Sequence, residues 1–426
     1  VSYHAGFYDF YDGEYRDALD RFSDEWRGAI KTPQTRWIDS ICYSTMMGEC
    51  YYHTGQLDKA LESYTTALEL CLAFPDWMIR VQFSPSIRAG QIRPVPWGGS
   101  NRNAPPGQFR STVLISQGRV NNNPIIERGG IVQPAQLFPI NAQEIVRATT
   151  LAIRRRTELR GPLAKHDRIT NDLITAFSAA AQPNHWSQAW VDIELGLALI
   201  ASGRKTDGIR LLSRSVVAQG QFDHPLTSTA LLELGKLALE QGDFARASTL
   251  FHDATVAAVQ FPDGGILEEA FRYGALTHLV ANSPGVFAPL TVAADWAKVK
   301  DYRRLRVSLL LSLAENLAVL GQSSDAATML AEARAAIGRR PMGIGRIGAR
   351  LNYLSATVAF QQRNIAAGDE ALAAAMGYMQ HGSYWLYQIL QLDRGYTSGQ
   401  VNTRSPVTPR IAMELYAELL RDPQGA

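Results

Sequence analysis

Apolar residues recur with helical spacing over most of this 426-residue chain, and the stretch Met47 to Phe74 (MGECYYHTGQLDKALESYTTALELCLAF) shows what that spacing builds. Two amphipathic segments flank Gly55, a residue that takes the left-handed backbone of a tight turn at little cost. Gly48 and Ala60 put small side chains where two helices approach, and Tyr51, Tyr64 and Ala67 continue the buried stripe. The pattern predicts helix, turn, helix. Gly6, Gly13, Ala18 and Phe22 repeat it at the first residues. Gly196, Gly203, Gly208 and Leu212 follow, then Gly235, Gly242, Ala247, Phe251 and Ala254, then a unit at Gly274, with equal intervals between the leading glycines. Ala314, Gly321, Ala326, Leu330 and Ala333 make another set, and Ser355, Ala367, Ala371 and Ala374 a degenerate one. Between them Asn141 to Ala181 reads as a further helical unit, its first helix stopped by Gly161-Pro162. Two more helices are expected at Ser383–Gly395 and Thr408–Arg421.

The helical period fails over one long stretch, from about Ser84 to Ile140. There Pro, Gly and Asn dominate, with short β-prone runs such as STVLIS and GGIVQ. This predicts an irregular insertion with one or two hairpins, folded against the helices. Three regions follow: N-terminal hairpins over 1–83, the insertion over 84–140, and a helical array over 141–426.

Counted from Gly48, an aromatic at +3, Gly at +7, Ala at +12, an aromatic at +16 and Ala at +19 resemble the tetratricopeptide repeat (TPR). The Phe-Pro-Asp triplets at Phe74 and Phe261 stand equally far past Ala67 and Ala254, so one unit has been duplicated. The resemblance implies an all-α, α-α superhelical solenoid of about six recognisable units, with one irregular, partly β insertion. It also implies a concave groove, lined by the first helix of each unit, that binds a protein or peptide. The groove positions on this reading are Glu49, Tyr52, His53, Trp190, Lys236, Glu240, His278 and Asn352. The carboxylate clamp of that family is not recognisable beyond Lys236.

A formal net charge of +2 gives no global polyelectrolyte argument for nucleic acid or membrane binding, so charge matters only locally. Between Trp77 and Ile140 seven arginines, Arg80, Arg88, Arg93, Arg102, Arg110, Arg119 and Arg128, face one acid, Glu127. Arg154, Arg155 and Arg156 are expected to cover the exposed side of the next helix and extend the basic surface of Arg88, Arg93, Arg102 and Arg110. The acidic first hairpin, from Asp9 to Glu25, is the internal counterpart for this charge. The other counterparts are an acidic partner or a neighbouring copy of the chain, giving a homo-oligomer.

Signals for chemistry are sparse. Eight histidines are scattered without a His-x-x-x-His pair, there is no Cys-x-x-Cys, and no metal or cofactor is expected. Gly343-Ile344-Gly345-Arg346-Ile347-Gly348 matches a dinucleotide fingerprint, but a helix and turn precede it where the fingerprint needs a strand. Cys42, Cys50 and Cys71 read as buried free thiols. No apolar run is long enough to span a bilayer. The chain begins at Val1, which leaves a removed leader and the compartment open. Two function classes stand: a non-catalytic interaction or scaffold protein with no catalytic residues, and an enzyme on a helical array with the insertion as lid or active-site loop. Convergent carboxylates in a pocket, or a His beside one, favour the second.

Overall fold

Small residues at helix crossings and glycines at the turns decide the architecture. The computed structural model describes residues 2–31, 36–117, 136–180 and 185–379. Among the described residues the chain folds as an all-α solenoid with one two-stranded sheet. The helices are α1 (Ser2–Asp12), α2 (Tyr15–Gly28), α3 (Ser40–His53), α4 (Leu57–Ala73), α5 (Ala142–Arg160), α6 (Arg168–Ala179), α7 (Gln188–Ala201) and α8 (Lys205–Arg214). They continue as α9 (Thr227–Glu240), α10 (Phe244–Gln260), α11 (Gly264–Val280), α12 (Ala288–Val299), α13 (Arg303–Val319), α14 (Ser323–Ile337), α15 (Arg346–Gln361) and α16 (Ile365–Met379). Strands β1 (Val113–Gln117) and β2 (Gln136–Ile140) pair antiparallel, Val113 opposite Ile140. The helices expected after Ser383 lie outside the described residues, as do Arg119, Glu127 and Arg128.

The repeat pattern has a direct steric cause. A Cβ on Gly48 would lie 2.6 Å from the Tyr64 ring, and one on Gly235 would lie 2.6 Å from Phe251. The aromatic side chain of the second helix therefore fills the space over the glycine of the first. The turn glycines Gly13, Gly55, Gly203, Gly242 and Gly321 all have φ between 75° and 87°. Asp243 and Asp263 cap the helices that follow them, accepting from Arg246 N and Ile266 N.

First helices pack on first helices. α3, α5 and α7 pack in succession, as do α9, α11, α13 and α15, and second helices lie outside them. The layer returns on itself. Phe10, Tyr15, Ala18 and Phe22 of the first hairpin share one hydrophobic cluster with residues from Leu231 to Val358. The Arg304 guanidinium lies 4.4 Å over Phe10 and 4.8 Å over Tyr11. Arg340 pairs with Asp12 at 3.2 Å and Glu14 at 2.6 Å. Gly13 abuts Met342, and Gly345 lies so close to the His53 carbonyl that a Cβ there would overlap it. The glycines of the fingerprint-like segment thus let α15 begin against the end of α3.

The insertion is a strap across the units. Trp97 is buried, packs edge-on against Phe271 and Trp296, and donates to Thr255 Oγ1 at 3.0 Å. Asp253 accepts from Ser100 Oγ at 3.0 Å and Asn101 N at 2.8 Å, while Arg102 pairs with Asp223. The counter-charge of the insertion is therefore on α10 and the loop before α9, and the acids of the first hairpin meet Arg303 and Arg340 instead.

Candidate functional site

The inner face carries a charged network built from four first helices. Glu49 on α3, Arg154 and Arg155 on α5, Glu233 and Lys236 on α9, and Glu269 on α11 meet there because residues three or four apart share a helix face. Arg155 reaches Glu49 at 2.9 Å, Glu269 at 2.8 Å and Glu158 at 3.1 Å. Arg154 reaches Glu233 at 2.7 Å and Glu269 at 2.6 Å, and Lys236 reaches Glu233 at 2.8 Å. Tyr64 donates to Glu49 at 2.5 Å and Tyr52 donates to Glu158. Arg346 of α15 pairs with Glu158 at 3.3 Å and stacks 4.2 Å from the Tyr52 ring.

Burial alone would raise the carboxyl pKa values, and the cations reverse that. Arg155 holds Glu49 far below the ordinary carboxylate range, and Arg155 with Arg346 brings Glu158 down to about 2. Arg154 and Arg155 do the same to Glu269, and Lys236 with Arg154 lowers Glu233. All four are ionised at neutral pH. Burial and the nearby Arg304 charge push the His53 imidazole down, so it is neutral, wedged between Phe10 and Tyr15.

Several sequence expectations need correction. Arg154, Arg155 and Arg156 are no solvated basic face: all three are buried, the first two in the inner network and Arg156 against Asp167 and Thr65. Arginine with a carboxylate partner from another unit is satisfied inside, and sequence alone does not show the partner. Arg102 is spent on Asp223, and Arg93 lies against Gln260 and the Val259 carbonyl. Arg88 and Arg110 remain exposed on the strap. Trp190 is 1% exposed and faces Trp186, Phe83 and Phe109 under the insertion, away from the groove. His278 turns to the Gly285 carbonyl at 2.9 Å, and Glu240 pairs with Lys205 of the previous unit at 2.7 Å. Asn352 lies half-buried on α15. The structure brings Glu49, Tyr52, His53 and Lys236 together. It adds Glu158, Glu233, Glu269, Arg272, Arg346 and Arg350, which the sequence reading missed. A signal existed: Glu233 and Arg272 each stand two before the small residue of their unit, Gly235 and Gly274, and Glu49, Lys236 and Glu315 each stand one after.

A cavity of about 20 Å³ lies within the network, lined among others by Glu49, Arg147, Arg154, Asp263 and Glu269. Such a volume holds about one water. Among the described residues no three His, Cys, Asp or Glu side chains converge as metal ligands, the three cysteines are free and buried, and no helix is long and apolar enough to cross a membrane.

No family model and no curated protein matches this sequence. Among solved structures it is similar to a Rap protein complexed with competence and sporulation factor, at 13% identity and a TM-score of 0.38, covering 79% of this chain and 73% of that one. It is also similar to yeast Tom70, at 10% identity and a TM-score of 0.26, covering 97% of this chain and 98% of that one.

Proposed function

We propose that this protein is a non-catalytic adaptor that binds a protein or peptide partner on the inner face of its solenoid. The observation that carries this reading is the stripe on α11, α13 and α15, where exposed apolar side chains alternate with half-buried charged ones. Arg272, Glu315 and Arg350 lie beside Leu276, Val319 and Tyr353, which are 41%, 66% and 51% exposed. An exposed apolar set within a charged rim is the usual character of an interaction surface. The repeat pattern shared with the TPR family supports the same reading.

The enzyme alternative has its own observation, since the inner cavity does gather carboxylates. Glu49 and Glu269 are paired with arginines and Asp263 caps a helix, however, and the space beside them takes about one water. The insertion is packed into the core through Trp97, which suits a strap better than a lid.

A photo-crosslinking residue at Tyr353, on the inner face, is compared with one at Arg246, exposed on the outer helix α10. Expression in the native cell and irradiation should trap a partner from Tyr353 and not from Arg246. Trapping from Arg246 alone would overturn the assignment to the inner face.

A further inference from the structure

Resting on the inner-face reading, we infer that Arg272, with Leu276 one turn along α11, recognises an extended partner segment carrying an acidic side chain two residues from an aliphatic one. Charge complementarity is the first argument. Glu49, Glu158, Glu233 and Glu269 are matched by Arg154, Arg155, Lys236 and Arg346. Glu268 is matched by Arg304 at 3.0 Å and Glu315 by Arg350 at 2.6 Å. Arg272 lies within the field of Glu269 and Glu158 but has no direct partner among the described residues. Among the described residues it makes no hydrogen bond and no ion pair, and its guanidinium rests 5.2 Å over Tyr273. A carboxylate placed on Arg272 would satisfy it, and a guanidinium fork suits that group.

The surroundings select against a polyanion. Glu269 and Glu158 act on Arg272, and the Glu158 side chain is 43% exposed, so a phosphate backbone would meet negative charge beside its one gain. One carboxylate fits the single unpartnered guanidinium fork.

Geometry supplies the second half. Arg272, Leu276 and Val280 form one stripe, and the two aliphatic residues are 41% and 48% exposed. Four residues of helix advance about 6 Å. Two residues of an extended peptide advance about 6.6 Å and return the side chain to the same side. An acid over Arg272 therefore places the side chain two residues on over Leu276, and the next alternate one over Val280.

The test uses the full chain and fluorescein-labelled, amidated, alanine-based heptapeptides, read by anisotropy. One set carries Glu with Leu two residues away, in both orders; the controls replace Glu by Gln or move Leu next to Glu. A free-acid alanine peptide lacking Glu tests a terminal carboxylate as the source. The patterned peptide should bind at least tenfold tighter than each control. Arg272→Gln should remove the preference for Glu over Gln, and Arg272→Glu should prefer a peptide with Lys at that place. A second variant, Leu276→Asp on an exposed position, should weaken the patterned peptide at least tenfold if Arg272→Gln folds poorly by thermal melt. Equal binding of patterned and control peptides, equal or tighter binding of the free-acid peptide, unchanged preference in Arg272→Gln, or no binding of any peptide would overturn the proposal. The crosslink from Tyr353 decides the broader reading separately.

Discussion

Replacing Arg155 with Met keeps much of the side-chain volume and removes a guanidinium that Glu49, Glu158 and Glu269 share. Glu158 is partly exposed and keeps Arg346, so its loss is small. Glu49 and Glu269 have side chains only 4% and 8% exposed, and the first is left with His53, which is neutral, and the Tyr64 hydroxyl. Removing one partner of a buried ion pair costs about 3–5 kcal/mol. Unfolding entropy of about 2.1 cal/mol/K per residue makes roughly 0.9 kcal/mol/K for a chain of this length unfolding as one unit, so Tm should fall by about 3–6 °C at pH 7. The pH dependence has a definite sign. Glu49 and Glu269 have folded pKa values below their unfolded values, so the stability they contribute is present above about 4.3 and lost as pH falls toward their folded values. Without Arg155 the two carboxylates protonate more readily, and the deficit of the variant should shrink as pH falls from 5 to 4. Arg155→Lys keeps a charge without the fork and should fall between. Thermal melts followed at 222 nm check this. A Tm within 1 °C of the native protein at pH 7, or a deficit of the same size at pH 4, would refute the network's role.

Glu194 on α7 is 2% exposed and has no hydrogen-bond or ion-pair partner among the described residues, and burial raises its pKa well above the ordinary value. Its cost grows as pH rises above about 4.3, so Glu194→Met should stabilise by about 1–3 kcal/mol at pH 8 and by almost nothing at pH 4, measured by urea unfolding. Ala60→Leu and Ala247→Leu overfill equivalent helix crossings, both fully buried, and should each cost about 1–3 kcal/mol; unchanged melting in both would break the equivalence of the two units. Trp97→Ala removes the anchor of the insertion and should cost about 3–5 kcal/mol and speed proteolytic cutting between residues 84 and 112; a cutting rate equal to the native protein would count against the strap.

The repeat was legible because its determinants are local. Gly48 and Tyr64, or Gly235 and Phe251, belong to one hairpin, so the residues that touch are a fixed distance apart in sequence. The helix ending at Gly161 and the loss of period after Ser84 were legible for the same reason. The inner network was not. Arg154 meets Glu269 and Arg155 meets Glu49 across more than a hundred residues, and nothing near Arg154 announces either partner. Trp190 was misread because its neighbours Phe83 and Phe109 come from the residue before the insertion and from the insertion itself, whose course the sequence did not specify. The acids of the first hairpin read as the counter-charge of the insertion's arginines, but Asp12 and Glu14 pair with Arg303 and Arg340 of later units.

The meeting of the first hairpin with residues 340–345 has a consequence for how such a chain can change over time. An open array tolerates the gain or loss of a unit, since each repeat answers only to its neighbours. Here Glu14 and Arg340 are 326 residues apart in sequence and in direct contact. Inserting or deleting one unit between them would carry Arg340 and Gly345 out of reach of Asp12 and His53, and the two ends would no longer meet. The number of units between the two ends is thereby fixed by the closure, and variation is directed to the exposed strap and to the inner stripe, where side chains can be exchanged without altering the count.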